Sequence, residues 1–62
     1  MTLEQIKTAV EEGKTVHWQN ARYEVIVDNR NQWLIKAGSH CIGLTWADGI
    51  TLNGRESEFY IA

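Results

Sequence analysis

The spacing of apolar residues changes period at Gly13, and that change limits what this chain can fold into. Before Gly13, residues Leu3, Ile6, Ala9 and Val10 recur at helical spacing while Glu4, Lys7, Thr8, Glu11 and Glu12 fall on the other side. After it, apolar and polar residues alternate to the end of the chain, the signature of half-buried strands. Thr2 and Gln5 have the spacing of a capping box, so the pattern predicts a helix over residues 3–12, with Gly13 as its left-handed stop.

Beyond Gly13 the turn residues set the register, because loop length decides which residues oppose each other. Gly38-Ser39 suits a two-residue type II′ turn, pairing Ala37 with His40, Ile35 with Ile42 and Trp33 with Leu44. Asn29-Arg30-Asn31, with Asn31 left-handed, pairs Val27 with Trp33 and Val25 with Ile35. Ala47-Asp48-Gly49 as a three-residue loop pairs Trp46 with Ile50, Thr45 with Thr51 and Leu44 with Leu52. A two-residue Asp48-Gly49 loop would set Thr45 against Leu52, and the three-residue version is preferred because it keeps apolar residues opposite each other. A loop over Gln19–Arg22 sets Trp18 opposite Tyr23 and Val16 opposite Val25.

These registers converge on one inner face: Val16, Trp18, Tyr23, Val25, Val27, Trp33, Ile35, Ile42, Leu44, Trp46, Ile50 and Leu52. Phe59 and Ile61 add a last short strand after an Asn53-Gly54 turn. The expected fold is α+β, an N-terminal helix followed by an antiparallel five- to six-stranded meander over residues 15–61 that curls into a partly open SH3-like barrel. The helix is expected to close one barrel end or cover an outer flank. At 62 residues, with no linker, repeat or proline, the sequence reads as one domain, residues 1–62. Starting at Met1 without a tag or secretion signal, it reads as a complete small gene product.

Composition narrows the function classes. Six Lys and Arg against eight Asp and Glu leave a net charge of −2, which argues against duplex nucleic acid as a partner. No run is apolar and long enough for a membrane span, and a single cysteine, Cys41, fits a reducing compartment, so a cytoplasmic location is expected. His40 and Cys41 are adjacent in a strand and face opposite ways, so they form no metal site. Ser39-His40-Cys41 alternates in direction and forms no nucleophile–base pair. No nucleotide-binding loop, hydrolase elbow or paired-carboxylate spacing is present, so the chain is read as non-enzymatic, with no cofactor and no metal.

The candidate contact residues lie elsewhere. Ile26 and Leu34 pair on the outer face with Gly43 beside them, either as the seat of the helix, the preferred reading, or as a partner or dimer interface. His17, Glu24, Lys36 and Cys41 form a polar row on the same face, read chiefly as cross-strand charge pairs. All three tryptophans are assigned to the core; Trp46, beside Asp48, is the one placed to reach a ligand.

The strings G-K-T-V-H-W from Gly13, Y-E-V-I from Tyr23, I-G-L-T-W-A-D-G-I-T-L-N-G from Ile42 and E-F-Y-I from Glu58 resemble small phage and mobile-element proteins. The resemblance implies a phage-type origin and carries over no catalytic or binding residue. The layout is also similar, at fold level, to phage proteins that sequester nucleotide-derived immune signals.

The leading functional expectation is a protein-binding module that inhibits or modulates a host protein machine such as a defence system. Its acidic residues Glu11, Glu12, Glu24, Asp28, Asp48, Glu56 and Glu58 would meet a basic surface. A second expectation is a homo-oligomeric small-molecule or nucleotide-signal sponge, with Trp46 stacking and Asn53 and Arg55 near the ligand. Single-stranded nucleic-acid binding is the third, motivated by the tryptophans and opposed by the net charge.

Overall fold

Thr2 Oγ1 accepts from Gln5 N at 3.1 Å and Gln5 Oε1 accepts from Thr2 N at 2.9 Å, so the capping box starts the helix where the sequence places it. A computed structural model describes residues 1–62. The helix, α1, spans Leu3–Glu11, one residue shorter than expected, with Glu12 as its cap and Gly13 at φ 88°. Four short strands follow, β1 (Val16–Trp18), β2 (Asn20–Val27), β3 (Trp33–Ala37) and β4 (His40–Gly43). A 3-10 turn over Glu56–Glu58 then leads into β5 (Phe59–Ile61).

The strands form one antiparallel sheet in the order β4-β3-β2-β1-β5, so the last strand returns to pair with the first. The sheet is not closed, and β4 and β5 are its edges. Two hairpins keep the expected register. Val27 opposes Trp33, with Asn31 at φ 63°, and Ala37 opposes His40, with Gly38 at φ 60°. The Asp28 carboxylate closes the first of these turns, its Oδ1 accepting from Arg30 N at 2.8 Å and Gln32 N at 2.9 Å.

Four expectations are corrected. Gln19–Arg22 is not a loop, because Gln19 takes φ 67° and lets Trp18 oppose Asn20 directly. The His17–Glu24 register survives behind this irregularity, and the Trp18 and Tyr23 rings still meet edge to face at 5.1 Å. The second correction concerns residues 44–53, where Thr45 opposes Leu52 and Trp46 N donates to Thr51 O at 2.9 Å. This is the register the sequence reading set aside. It leaves a single bridge rather than a sixth strand and places Trp46 and Ile50 outside the core.

Third, α1 does not sit on Ile26 and Leu34. Its buried residues, Ile6 and Ala9, join Val16, Val25, Ile35, Leu44 and Phe59 in one core cluster on the inner face, and Lys7 Nζ lies 5.5 Å from the centre of the Trp33 ring. The sheet offers its buried apolar side chains on that face, so the helix buries its stripe there. Fourth, Gly43 leaves no open notch. A Cβ at this position would lie 2.9 Å from the Thr45 carbonyl, because the chain bends back over it. Seven buried side chains make up the whole core, so each one carries a large share of the stability.

Candidate interaction surfaces

The hairpin at residues 45–52 owes its shape to Asp48. The Asp48 Oδ1 accepts from Ile50 N and Thr51 N, both at 2.9 Å, while Oδ2 accepts from the Thr51 hydroxyl. Gly49, at φ 72°, donates to the Trp46 carbonyl at 3.0 Å, and Asn53 ties the base of the hairpin down through Nδ2 to the Gly43 carbonyl at 3.1 Å. The Thr51 hydroxyl and the two amides hold the Asp48 carboxyl below the ordinary aspartate range. A small polar residue thus organises the loop from within, and the apolar residues are turned outward. Trp46 is 65% exposed and Ile50 77%.

On the outer face, the register brings Tyr60, His17, Glu24, Lys36 and Cys41 into one row across all five strands. His17 Nδ1 donates to the Tyr23 carbonyl at 2.9 Å, and its ring sits 5.5 Å from that of Tyr60. Glu24 and Lys36 oppose each other without forming an ion pair; the one ion pair in the structure joins Lys14 to Glu12 at 3.3 Å. Ile26 and Leu34 do pair beside this row, and both are half-buried.

Glu58 gathers the end of the chain around Trp18. Its Oε1 accepts from Arg55 N at 2.9 Å and from Trp18 Nε1 at 3.2 Å, and Oε2 accepts from Gln19 Nε2 at 3.4 Å. The Arg55 amide has the largest effect and, helped by the Trp18 and Gln19 donors and the Arg55 charge, keeps the Glu58 carboxyl below its ordinary range against desolvation, the next largest effect. Of the residues expected to converge on a ligand, Asn53 spends its side-chain amide on the Gly43 carbonyl, whereas Arg55 uses only its main-chain N–H, toward Glu58. Neither cleft of the single chain is lined by Trp46, Asn53 or Arg55.

A surface that sequence reasoning did not single out lies at the opposite end of the inner face. With nine residues, α1 is only about 13 Å long at 1.5 Å per residue, too short to cover the whole sheet. An open cleft remains beyond it, lined among others by Trp18, Arg22, Tyr23, Ser39, His40 and Ile42. Part of the signal was available, since the expected pairings set Trp18 opposite Tyr23 and Ala37 opposite His40. What was missing was the length of helix set against the length of sheet.

No three His, Cys, Asp or Glu side chains converge closely enough to hold a metal ion, and no helix is long and apolar enough to cross a membrane. No family model matches the chain, and neither a curated protein nor a solved structure shows a significant match.

Proposed function

We propose that this chain is a small non-enzymatic protein-binding module that inhibits or modulates a host protein machine, with the tip of the 45–52 hairpin as its principal contact. The observation that carries this reading is the exposure of Trp46 and Ile50, 65% and 77%, on a loop held rigid by the Asp48 hydrogen bonds. Exposing two large apolar side chains is costly in so small a domain, and a preorganised tryptophan is the kind of anchor that dominates protein interfaces. Rigidity also lowers the entropy lost on binding. A partner with a basic surface suits the acidic chain. The open five-stranded meander, its last strand returning to the first, is read here as a partly open SH3-like barrel of phage or mobile-element origin acting in the cytoplasm.

Native mass spectrometry of the protein recovered gently from a bacterial lysate tests this reading. A defined heterocomplex is expected with the unchanged chain. With Trp46→Ala it should be lost, or weakened about thirtyfold or more, while the circular dichroism spectrum stays the same. A homo-oligomer carrying small adducts of discrete mass would overturn it in favour of a small-molecule sponge.

A further inference from the structure

We infer that the cleft between Trp18 and the β4 edge receives an extended, acidic segment of a partner protein, laid alongside β4. This shares with the reading above only the premise that the chain binds protein, and it uses a different surface.

Two independent observations meet at this cleft. The first is its charge. Arg22 is the only formally charged residue in the lining, no acidic side chain joins it, and its guanidinium makes no hydrogen bond or ion pair within the chain. In a chain of net charge −2 this is a local positive site, and an unpaired guanidinium fits a carboxylate through paired N–H donors. The His40 ring and the Ser39 hydroxyl stand in the same cleft without internal partners.

The second observation is the edge itself. Ala37 with His40 and Ile35 with Ile42 are the pairs that exchange backbone hydrogen bonds in this two-residue hairpin, and Leu44 N donating to Trp33 O at 3.0 Å continues the alternation. Cys41, between them, therefore turns its N–H and C=O away from β3 and over the open side of the sheet. All four β4 residues are exposed and the strand carries no proline, lysine or bulge; Asn53 Nδ2 takes the outward Gly43 carbonyl at 3.1 Å, so the edge is open at Cys41. Ile42, 43% exposed, offers an apolar seat on the cleft side. Added strands bind through main-chain hydrogen bonds and gain specificity from alternate side chains, which here would meet Ile42 and Arg22. A small molecule fits less well, because small-ligand sites enclose most of their ligand and this cleft is open.

The probe is a short, end-capped peptide of alternating valine and glutamate, with glutamine replacing every glutamate in the control. Both are titrated into the full chain, labelled with nitrogen-15. The glutamate peptide is expected to shift the amides of Trp18, Arg22, Tyr23 and His40 to Gly43, and to bind about tenfold tighter than the control. Arg22→Gln, at an exposed and unpaired side chain, should erase that preference while leaving the remaining spectrum in place. Added salt should weaken the glutamate peptide alone. Equal binding of the two peptides, shifts confined to other surfaces, no shifts at all, or self-association of the free chain through β4 would each overturn the inference. Trp46→Ala should leave this titration unchanged, so the failure of one proposal is distinguishable from the failure of the other.

Discussion

Replacing Gly54 with alanine would place a Cβ 2.7 Å from Trp18 Nε1 and 3.3 Å from both Trp18 Cε2 and Glu58 Oε1. The indole is poorly placed to retreat. Its ring meets Tyr23 edge-on at 5.1 Å and Phe59 at 6.3 Å, and its Nε1 is held by Glu58 at 3.2 Å. Gly54 also has φ 138°, a backbone conformation that residues with a Cβ rarely adopt, at a cost of about 1–3 kcal/mol. Overpacking adds about 1–3 kcal/mol, so the expected loss is about 3 kcal/mol or more. A domain of this length has about 3–9 kcal/mol in total. In urea, with a slope of about 1 kcal/mol per molar, the midpoint should fall by about 3 M. Tryptophan fluorescence can follow the transition even without Trp18, because Trp33 and Trp46 remain. The decisive comparison is Gly54→Ala in a Trp18→Leu background, where the backbone strain persists and the clash is relieved. A coupling of about 1–3 kcal/mol between the two sites is expected. If Gly54→Ala costs the same in both backgrounds, the close approach to Trp18 does not explain the glycine.

Ile35→Ala and Leu44→Ala should each cost about 2–5 kcal/mol by chemical denaturation, whereas Ile50→Ser should stay within about 0.5 kcal/mol, since its side chain lies outside the core. A large loss at Ile50 would restore the register that the structure rejects. Asp48 and Glu58 have folded pKa values below their unfolded ones, so their stabilisation is present above the unfolded pKa and lost as pH falls through the folded value. Acid unfolding monitored by circular dichroism should therefore lose part of its pH dependence below about pH 4 in Asp48→Asn and Glu58→Gln. Thr2→Ala removes the side chain that caps α1 and should lower stability by about 1 kcal/mol, read from the urea midpoint.

Where the sequence carried local, chemically specific signals, the fold was legible. The Thr2–Gln5 box, the Gly38-Ser39 turn and Asn31 each fix a backbone conformation by their own chemistry, and the registers that follow from them appear in the structure. The 44–53 hairpin was misread because two loop lengths fit the same residues, and the choice rested on a preference for apolar pairs. The Asp48 side chain settles it otherwise, by accepting from Ile50 N, Thr51 N and the Thr51 hydroxyl. The seat of α1 was not a local property at all, since it depends on which sheet face gathers the apolar side chains of strands distant in sequence. Gly43 and Gly54 were read as a notch and a turn, yet each marks a close approach, Gly43 to the nearby Thr45 carbonyl as the chain bends back and Gly54 to the sequence-distant Trp18 indole.

These failures are not scattered at random over the molecule. The core residues Val16, Val25, Ile35, Leu44 and Phe59 follow the alternation that sequence reasoning expects, because burial of apolar area governs all five. The departures concentrate at the Trp46–Ile50 tip, where a polar side chain overrides apolar pairing, and at the cleft beyond α1, where the helix is too short for the sheet. A sequence selected for folding alone would have little reason to turn a tryptophan and an isoleucine outward on a loop braced by three hydrogen bonds. Nor would it gain from leaving the main-chain groups of Cys41 open at an edge beside the Ile42 and Arg22 cleft. Local conflict with an otherwise consistent fold is expected where residues serve something besides folding. The two surfaces proposed for partner recognition are the places where the physics of this small core gives no account of the residues present.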